Sequence, residues 1–295
     1  MDQTFYIEDC VKGCQDRIVN GSIDLVFADP PFNIGFGGKQ SNAYSHGISW
    51  KKEIYYSDII SKDDYINRCG IWIKEAFRIL RENGIFIIMS SWNHVSAIEM
   101  KANEIGFTTL NHLIWRYEFG VFTIHRFTTS HYTFLILLKG DPSKNAWTFN
   151  KKKPQEEDVE REIKLFLDEM DPDERKINLQ KIATKIEEIF YTKRKNYIAS
   201  DFFDDLRRMS RRYEGVEHPC KLSEDVLMRL YEIFTDEGDK IVDLFMGSGT
   251  SLVAAVLTRR KYVGFEIKND YLSEINKLVK KRLESKRNVK KISSL

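Results

Sequence analysis

The stretch Ile23-Asp24-Leu25-Val26-Phe27-Ala28-Asp29-Pro30-Pro31-Phe32 joins a strand-like run to a turn that must end it. Residues 23–28 are mostly apolar, and Asn20-Gly21 marks a turn just before them, so the pattern predicts a buried strand. The two prolines stop the chain from continuing as sheet or helix. Ligands bind at the carboxyl ends of strands in open α/β sheets. A carboxylate, a rigid turn and an aromatic ring there suit a flat ring with an exocyclic amine, although a proline turn with a buried Phe would give the same pattern.

The composition suits one large α/β domain with an insertion, or at most two domains. The chain has 295 residues, of which 42% are hydrophobic, and this is enough for a sizeable core. No apolar run reaches the roughly 18 residues that span a membrane. The first residues do not resemble a secretory leader, so we expect a cytoplasmic protein without a membrane partner. The net charge of +2 does not by itself indicate nucleic acid, whereas local clusters of Lys and Arg could neutralise phosphates.

The cysteines predict free thiols in a reducing compartment. No two of them form a Cys-x-x-Cys pair, and none lies near a His at the spacing of a metal site. We therefore expect no bound metal. The four residues are Cys10, Cys14, Cys69 and Cys220.

Strand and helix patterns alternate through most of the chain, which favours a doubly wound, mostly parallel sheet in an α/β fold. A helix is predicted over about 63–82, ended by Asn83-Gly84, and a buried strand over 85–89 follows. Residues 33–60 are glycine-rich and lack regular periodicity, so we interpret them as a lid beside the site. Apolar residues with helical spacing in an otherwise charged segment predict a helical hairpin between about 155 and 191.

A second motif, Val242-Asp243-Leu244-Phe245-Met246-Gly247-Ser248-Gly249-Thr250, is a predicted strand followed by a glycine-bearing turn and the start of a helix. Glycines let the backbone approach a ligand closely, and a helix N-terminus offers N–H groups. Another predicted strand ends at Glu266, where a carboxylate can accept hydrogen bonds from ribose hydroxyls. The turn has neither Gly-x-Gly-x-x-Gly nor a Walker lysine, which argues against NAD and ATP. The motif favours a nucleoside without phosphates, such as S-adenosylmethionine.

Together, the two motifs resemble those of the S-adenosylmethionine-dependent DNA amino-methyltransferases, which act on adenine N6 or cytosine N4. Asp29-Pro30-Pro31-Phe32 precedes Phe245-Met246-Gly247-Ser248-Gly249 with a long variable segment between them, which is the order of the β class. Glu217-His218-Pro219-Cys220-Lys221-Leu222 is similar to the His-Pro-x-x-Lys element of that family, with the lysine one place early. The resemblance covers about residues 4–140 and 213–285.

The resemblance implies a Rossmann-like methyltransferase sheet of seven strands with an inserted helical target-recognition region. The catalytic domain would comprise residues 1–140 and 213–295, and the insertion residues 141–212. Double-stranded DNA would be the substrate. A homodimer and a cognate restriction endonuclease are further possible partners.

The resemblance also implies roles for single residues. Asp29 and Pro30 would hold the target amine, Pro31 would stiffen the turn, and Phe32 would stack on a flipped-out base. Asp29 would also contact the cofactor, Glu266 would bind its ribose, and Lys221 would lie near its carboxylate. Asp9 and Cys10 would contact its adenine. Its methionine part would be surrounded by Asp243, Phe245, Gly247, Ser248, Gly249 and Thr250. The alternative interpretations are a helix cap for Asp9, core packing for Cys10 and a surface position for Lys221.

Adenine N6 is the expected target, because within the family an Asp at the position of Asp29 leans towards adenine and a Ser towards cytosine. Methylation of cytosine N4 is the alternative. A cytosine C5 enzyme with Cys220 as nucleophile is disfavoured, since Pro219-Cys220 precedes the cofactor motif and the proline motif would have no role. A non-catalytic DNA-binding protein on the same scaffold is the remaining alternative, and the intact Asp29 and glycines argue against it.

Overall fold

The computed structural model describes residues 3–33, 60–117, 124–125, 127–150, 201–204, 206 and 222–267. Nearly all of the predicted lid, the predicted helical hairpin, Cys220 and Lys221 lie outside these residues. In chain order the described elements are β1 (Gln3–Ile7), α1 (Cys10–Arg17), β2 (Ile23–Ala28), α2 (Lys62–Ile79), β3 (Leu80–Ser90), α3 (Val95–Ile105), β4 (Thr108–Arg116), β5 (His131–Lys139), β6 (Phe202–Phe203), α4 (Glu224–Phe234), β7 (Lys240–Asp243), α5 (Thr250–Leu257) and β8 (Lys261–Glu266).

The described strands form one sheet in the order β1-β8-β7-β2-β3-β5-β4-β6. β5 is antiparallel to both of its neighbours, and every other pair of adjacent strands in the described sheet is parallel. Seven of these eight strands therefore run in one direction, and their carboxyl ends meet at one edge of the sheet. The predicted doubly wound, mostly parallel sheet is confirmed. The strand beyond the expected seven is β6, which has two residues and pairs with β4.

Helices cover both faces of the sheet, because successive strand residues point to opposite sides. In β2, Val26 and Ala28 pack in the cluster that contains α1, α2 and α3, whereas Leu25 and Phe27 pack in the cluster that contains α4 and α5. All four side chains are at most 1% exposed. Each large apolar side chain buried in this way stabilises the fold by about 1.5–3 kcal/mol. Two covered faces explain why the strand is apolar at nearly every position.

Two helix boundaries follow local sequence signals. Ser61 caps α2, since its hydroxyl accepts a hydrogen bond from the backbone N–H of Asp64 at 3.1 Å. Gly106 ends α3 with φ at 119°, a left-handed conformation that glycine adopts without a steric penalty. Serine at a helix N-terminus and glycine at a helix C-terminus are the residue types that these positions favour.

The predicted end of α2 at Asn83-Gly84 is wrong. α2 ends at Ile79, and β3 begins at Leu80, which pairs with Ile23. The strand register is irregular over the next residues, and Asn83 has φ at 61°. A Cβ atom on Gly84 would lie 3.1 Å from the backbone oxygen of Asp24. Glycine at this position therefore permits a close approach between two strands and does not end a helix.

The chain divides into two compact units, one formed by Met1–Thr148 with Phe202–Leu295 and the other by Phe149–Asp201. The first unit carries the sheet and the helices named above. The second unit lies almost entirely outside the described residues, and the predicted insertion over residues 141–212 stays a prediction. Within the described ranges, no helix combines the length and the hydropathy that crossing a membrane requires.

Candidate active site

Two loops leave neighbouring strands at the carboxyl edge of the sheet. β2 and β7 are parallel, with Phe27 opposite Asp243, and the backbone N–H of Leu244 donates to the carbonyl of Phe27 at 3.0 Å. The proline loop (residues 29–32) begins two residues after Phe27. The glycine turn (residues 246–249) begins three residues after Asp243. The two sequence motifs therefore emerge side by side from the sheet.

The proline loop is partly enclosed by protein. Pro30 is buried, and the other three residues of the loop are half-buried. Asn33 follows the loop with φ at 52°. Its side-chain amide donates to the carbonyl of Ile60, and its side-chain oxygen accepts from the N–H of Ile60, both at 3.0 Å. This pair of hydrogen bonds fixes the end of the proline loop to the residue just before the cap of α2.

Aromatic rings extend from the proline loop along β4 and β5. The centroid of the Phe32 ring lies 5.9 Å from that of Tyr132. Tyr132 lies 5.8 Å from Trp115 and 5.0 Å from Tyr117 by the same measure. These residues meet because β5 is antiparallel and starts at the edge where β4 ends. Tyr132 thus supports the Phe32 ring on one side, and aromatic faces of this kind suit stacking on a flat heterocycle.

The glycine turn adopts a conformation that other residues rarely take. Gly247 and Gly249 have φ at 53° and 81°, in the left-handed region that favours glycine. The N–H of Gly249 donates to the carbonyl of Met246 at 3.0 Å, and Gly249 is the N-cap of α5. The Ser248 and Thr250 hydroxyls lie 3.2 Å apart. Because first-turn N–H groups have no partner within their own helix, the start of α5 is a favourable place for a carboxylate.

Asp243 lies beneath the glycine turn and is 1% exposed. Its Oδ1 accepts the backbone N–H of Phe245 at 2.9 Å, and its Oδ2 accepts the hydroxyl of Tyr262 at 3.3 Å. Burial raises the pKa of Asp243 to about 6, while hydrogen bonds from Ser251, Phe245 and Tyr262 oppose that rise. The carboxylate therefore holds the backbone from within the protein. Its direct contact with a cofactor stays a prediction.

Glu266 ends β8 beside the glycine turn. Its Oε2 accepts the backbone N–H of Gly247 at 2.9 Å, so the acidic strand end and the turn are directly connected. The ring of Phe245 meets Trp72 of α2 edge-on, with 4.9 Å between ring centroids. The predicted cofactor residues of this region thus lie together at one edge of the sheet.

Asp9 and Cys10 reach the same edge, because Ile7 at the end of β1 pairs with Glu266. Asp9 is the N-cap of α1, and its Oδ1 accepts the first free N–H groups of that helix, both at 3.0 Å. Cys10 is 5% exposed, and burial raises its thiol pKa to about 12. The alternative interpretations, a helix cap and a small core residue, are therefore observed. Contact of either residue with a cofactor stays a prediction.

Sequence reasoning does not identify Tyr262, Ser251, Trp72 or Tyr132 as neighbours of the site. All four lie outside the two motifs. Three of them are aromatic, and an aromatic residue in a strand or helix is ordinarily part of the hydrophobic core. The spacing Tyr262-Val263-Gly264 was the one usable signal, since a glycine inside a strand often marks a close approach by another group.

Comparison with known proteins gives three kinds of similarity. A family model described as DNA methylase matches residues 23–277, which include both loops. DNA adenine methyltransferase YhdJ of Escherichia coli (strain K12) is 25% identical over 256 residues, covering 87% of this chain and 76% of that protein. Type II methyltransferase M2.LlaDCHI of Lactococcus lactis subsp. cremoris is 26% identical over 275 residues, covering 91% and 84%.

Solved structures show the same fold at lower sequence identity. The M1.HpyAVI–SAM complex has a TM-score of 0.56 at 18% identity, covering 94% of this chain and 99% of that chain. The PvuII DNA methyltransferase, named as cytosine-N4-specific, has a TM-score of 0.58 at 15% identity, covering 94% and 86%.

Proposed function

Because the chain belongs to the N6/N4 family of DNA methylases, we propose that it transfers a methyl group from S-adenosylmethionine to the N6 amino group of adenine in DNA. The observation that carries the proposal is the parallel pairing of Phe27 with Asp243. This pairing sets the proline loop, which suits an amine acceptor, beside the glycine turn, which suits the methyl donor.

S-adenosylmethionine is the methyl donor of this family, and the residues around the glycine turn fit it. The left-handed conformations of Gly247 and Gly249 let the backbone approach a ligand. Glu266, tied to Gly247 at 2.9 Å, offers a carboxylate for the ribose hydroxyls. We assign Asp9 and Cys10 to the adenine end. When bound there, the cofactor would supply a methyl group on a sulfonium centre, for transfer to the base nitrogen in exchange for the sulfur–carbon bond.

The proline loop prepares the amine for this transfer. An exocyclic amine is a weak nucleophile, because its lone pair is delocalised into the ring. We assign the carboxylate of Asp29 and the carbonyl of Pro30 as acceptors of the two amine hydrogens. Holding both hydrogens draws the nitrogen towards a tetrahedral geometry and directs its lone pair, while Pro31 restrains the turn. During the transfer these residues act through orientation and electrostatics. Asp29 then takes up the proton that the amine loses.

The target nitrogen is inaccessible inside a stacked duplex, so we propose that the base turns out of the helix into the site. This costs a few kcal/mol. Stacking of Phe32 on the extruded ring offsets part of that cost, since base–aromatic stacking contributes about 1–3 kcal/mol. Packing against Tyr132 at 5.9 Å limits the motion of the Phe32 ring, so little rotamer entropy is lost when the base arrives.

Adenine is favoured over cytosine by the Asp at position 29. A relative named as a DNA adenine methyltransferase supports this choice, while a cytosine-N4-specific enzyme shares the fold. Cytosine N4 is the second candidate, because the same two acceptors suit either amine. The relative named as a Type II methyltransferase supports the proposal that this chain has a partner restriction endonuclease. We also propose that the chain forms a homodimer.

Product analysis tests the proposal. The purified chain is incubated with unmethylated duplex DNA and S-adenosylmethionine labelled in its methyl group, and the DNA is digested to nucleosides for mass spectrometry. We expect the label in N6-methyladenine. Label in N4-methylcytosine would move the assignment to the second candidate. Cofactor and DNA binding without any labelled nucleoside would instead support a non-catalytic DNA-binding protein.

A further inference from the structure

A buried set of polar side chains joins the three elements that surround the glycine turn. Tyr262 of β8 donates its hydroxyl to Oδ2 of Asp243, the last residue of β7, at 3.3 Å. The same hydroxyl lies 2.7 Å from Oγ of Ser251, in the first turn of α5. All three residues are at most 3% exposed. Burying polar groups this deeply is costly unless they are hydrogen-bonded. The contacts among these three side chains therefore offset the cost of their burial.

Gly264 makes room for this arrangement. A Cβ atom at this position would lie 2.7 Å from the hydroxyl of Tyr262 and 2.8 Å from Sδ of Met246. Both distances are shorter than real contacts of a Cβ atom. The missing side chain therefore leaves space that the tyrosine hydroxyl and the sulfur of Met246, the first residue of the glycine turn, both approach.

We propose that Tyr262 is a positioning residue for the cofactor: together with Ser251 it holds the carboxylate of Asp243, and through it the backbone of Phe245, which leads directly into the glycine turn. The inference rests on the proposed cofactor site. It follows from the chemistry of the carboxylate, which only accepts hydrogen bonds, at both oxygens, when it is ionised. A protonated carboxyl donates from one oxygen, so either the N–H of Phe245 would face another donor or the Tyr262 hydroxyl would have to turn from donor to acceptor.

Protonation of Asp243 should therefore loosen the turn. Burial raises its pKa to about 6, while the Ser251 and Tyr262 hydroxyls hold it lower than burial alone would. A hydrogen bond to a charged group is among the stronger ones. Removing the Tyr262 hydroxyl should thus raise the pKa of Asp243 further, by about one pH unit. Cofactor affinity would then fall at a higher pH than in the wild type.

Among the residues that the structure describes, four titratable groups face Asp243 from the elements around it: Tyr262 and Glu266 of β8, Tyr231 of α4, and Cys10 of α1. Burial raises the pKa of both tyrosines well above 10 and that of Cys10 to about 12. These three groups therefore stay neutral near pH 6. Glu266 is kept in every variant compared below, so its contribution cancels.

Tyr231 provides a matched control. Its hydroxyl is buried and has no hydrogen-bond partner in the part of the chain that the structure describes. Its ring belongs to the same core cluster as that of Tyr262. Tyr231→Phe therefore removes the same atom from the same core without removing a donor to Asp243.

The test is calorimetric titration of the full chain with S-adenosylmethionine between pH 5.5 and 8.5. The wild-type Kd should rise as the pH falls through about 6. Tyr262→Phe should move that midpoint up by about one pH unit, which weakens binding about threefold at pH 6.5 and leaves it unchanged at pH 8.5. Tyr231→Phe should follow the wild type. A single midpoint for all three proteins, or a pH-independent loss shared by both variants, would overturn the inference.

Two further measurements keep the test decisive. If circular dichroism shows that Tyr262→Phe does not fold, Ser251→Ala should move the midpoint in the same direction, and an unmoved midpoint would count against the inference. Wild-type protein that binds no cofactor would refute the proposed function instead. The hydrogen-bond set is then tested by urea unfolding, where Tyr262→Phe should lose more stability relative to Tyr231→Phe at pH 8 than at pH 4. A constant difference between the two variants would contradict it.

Discussion

Replacing Asp243 by Asn should remove a pH-dependent cost to the stability of the protein while it weakens cofactor binding. The carboxylate is 1% exposed, and burial raises its pKa from 3.8 to about 6. The folded state therefore holds a proton more tightly than the unfolded state does. This contribution to stability is complete below pH 3.8 and is lost as the pH rises to about 6.

The size of the effect follows from the pKa change. A rise of about 2 pH units at 1.36 kcal/mol per unit corresponds to about 3 kcal/mol. Relative to low pH, where Asp243 is protonated in both the folded and the unfolded state, its ionisation lowers the free energy of unfolding by about 3 kcal/mol above pH 6. At pH 4.5, where it is mostly protonated in the folded state, the free energy of unfolding is lower by about 1 kcal/mol. Asp243→Asn has no charge to bury, so its gain over the wild type should shrink by about 2 kcal/mol between pH 8 and pH 4.5.

Urea unfolding at the two pH values measures this gain, and calorimetry measures the Kd for S-adenosylmethionine. Asp16→Asn is a suitable control, because the side chain of Asp16 is 54% exposed on α1, and a change there should stay within about 0.5 kcal/mol at both pH values. A stability difference between Asp243→Asn and the wild type that does not depend on pH would refute the reasoning.

Two further predictions concern packing and the proline loop. Gly13→Ala should destabilise the protein by about 1–3 kcal/mol in urea unfolding, since its Cβ would lie 2.3 Å from the ring of Phe265. Gly70→Ala is the control: its Cβ would make ordinary contacts at 3.4 Å, so it should stabilise its helix by up to about 1 kcal/mol. A greater loss of stability in Gly70→Ala than in Gly13→Ala would contradict the packing described. Asn33→Ala should lower the free energy of unfolding by about 1–3 kcal/mol in the same measurement, because it removes both hydrogen bonds to Ile60. Asn33→Gly should lower it less, as glycine tolerates φ at 52°. Equal losses of stability in the two variants would show that the backbone conformation is not strained.

Local signals were sufficient where one feature decides the structure. The apolar run of β2 is bounded by Asn20-Gly21 and by the prolines, so its limits could be predicted and are confirmed. The order of the two motifs along the chain indicated the family, which is confirmed over residues 23–277.

Local signals failed where distant residues decide. Asn83-Gly84 has the residue types of a helix end, but pairing of Leu80 with Ile23 starts β3 earlier. Tyr262 has the residue type of a core strand position, and its role depends on Asp243 and Gly264 together. No sequence pattern records which buried hydroxyl faces which carboxylate, because that depends on the packing of three separate elements.

The most direct test of the account is the single-turnover rate of methyl transfer by Asp29→Ala, measured beside its affinity for S-adenosylmethionine. Asp29 is assigned to orient the amine and to accept its proton, so the rate should fall by at least two orders of magnitude. The affinity should fall much less than the rate, because Asp29 is only one of the residues assigned to the cofactor and the glycine turn stays intact. A wild-type rate in Asp29→Ala would contradict the assignment of the proline loop as the site that presents the target amine.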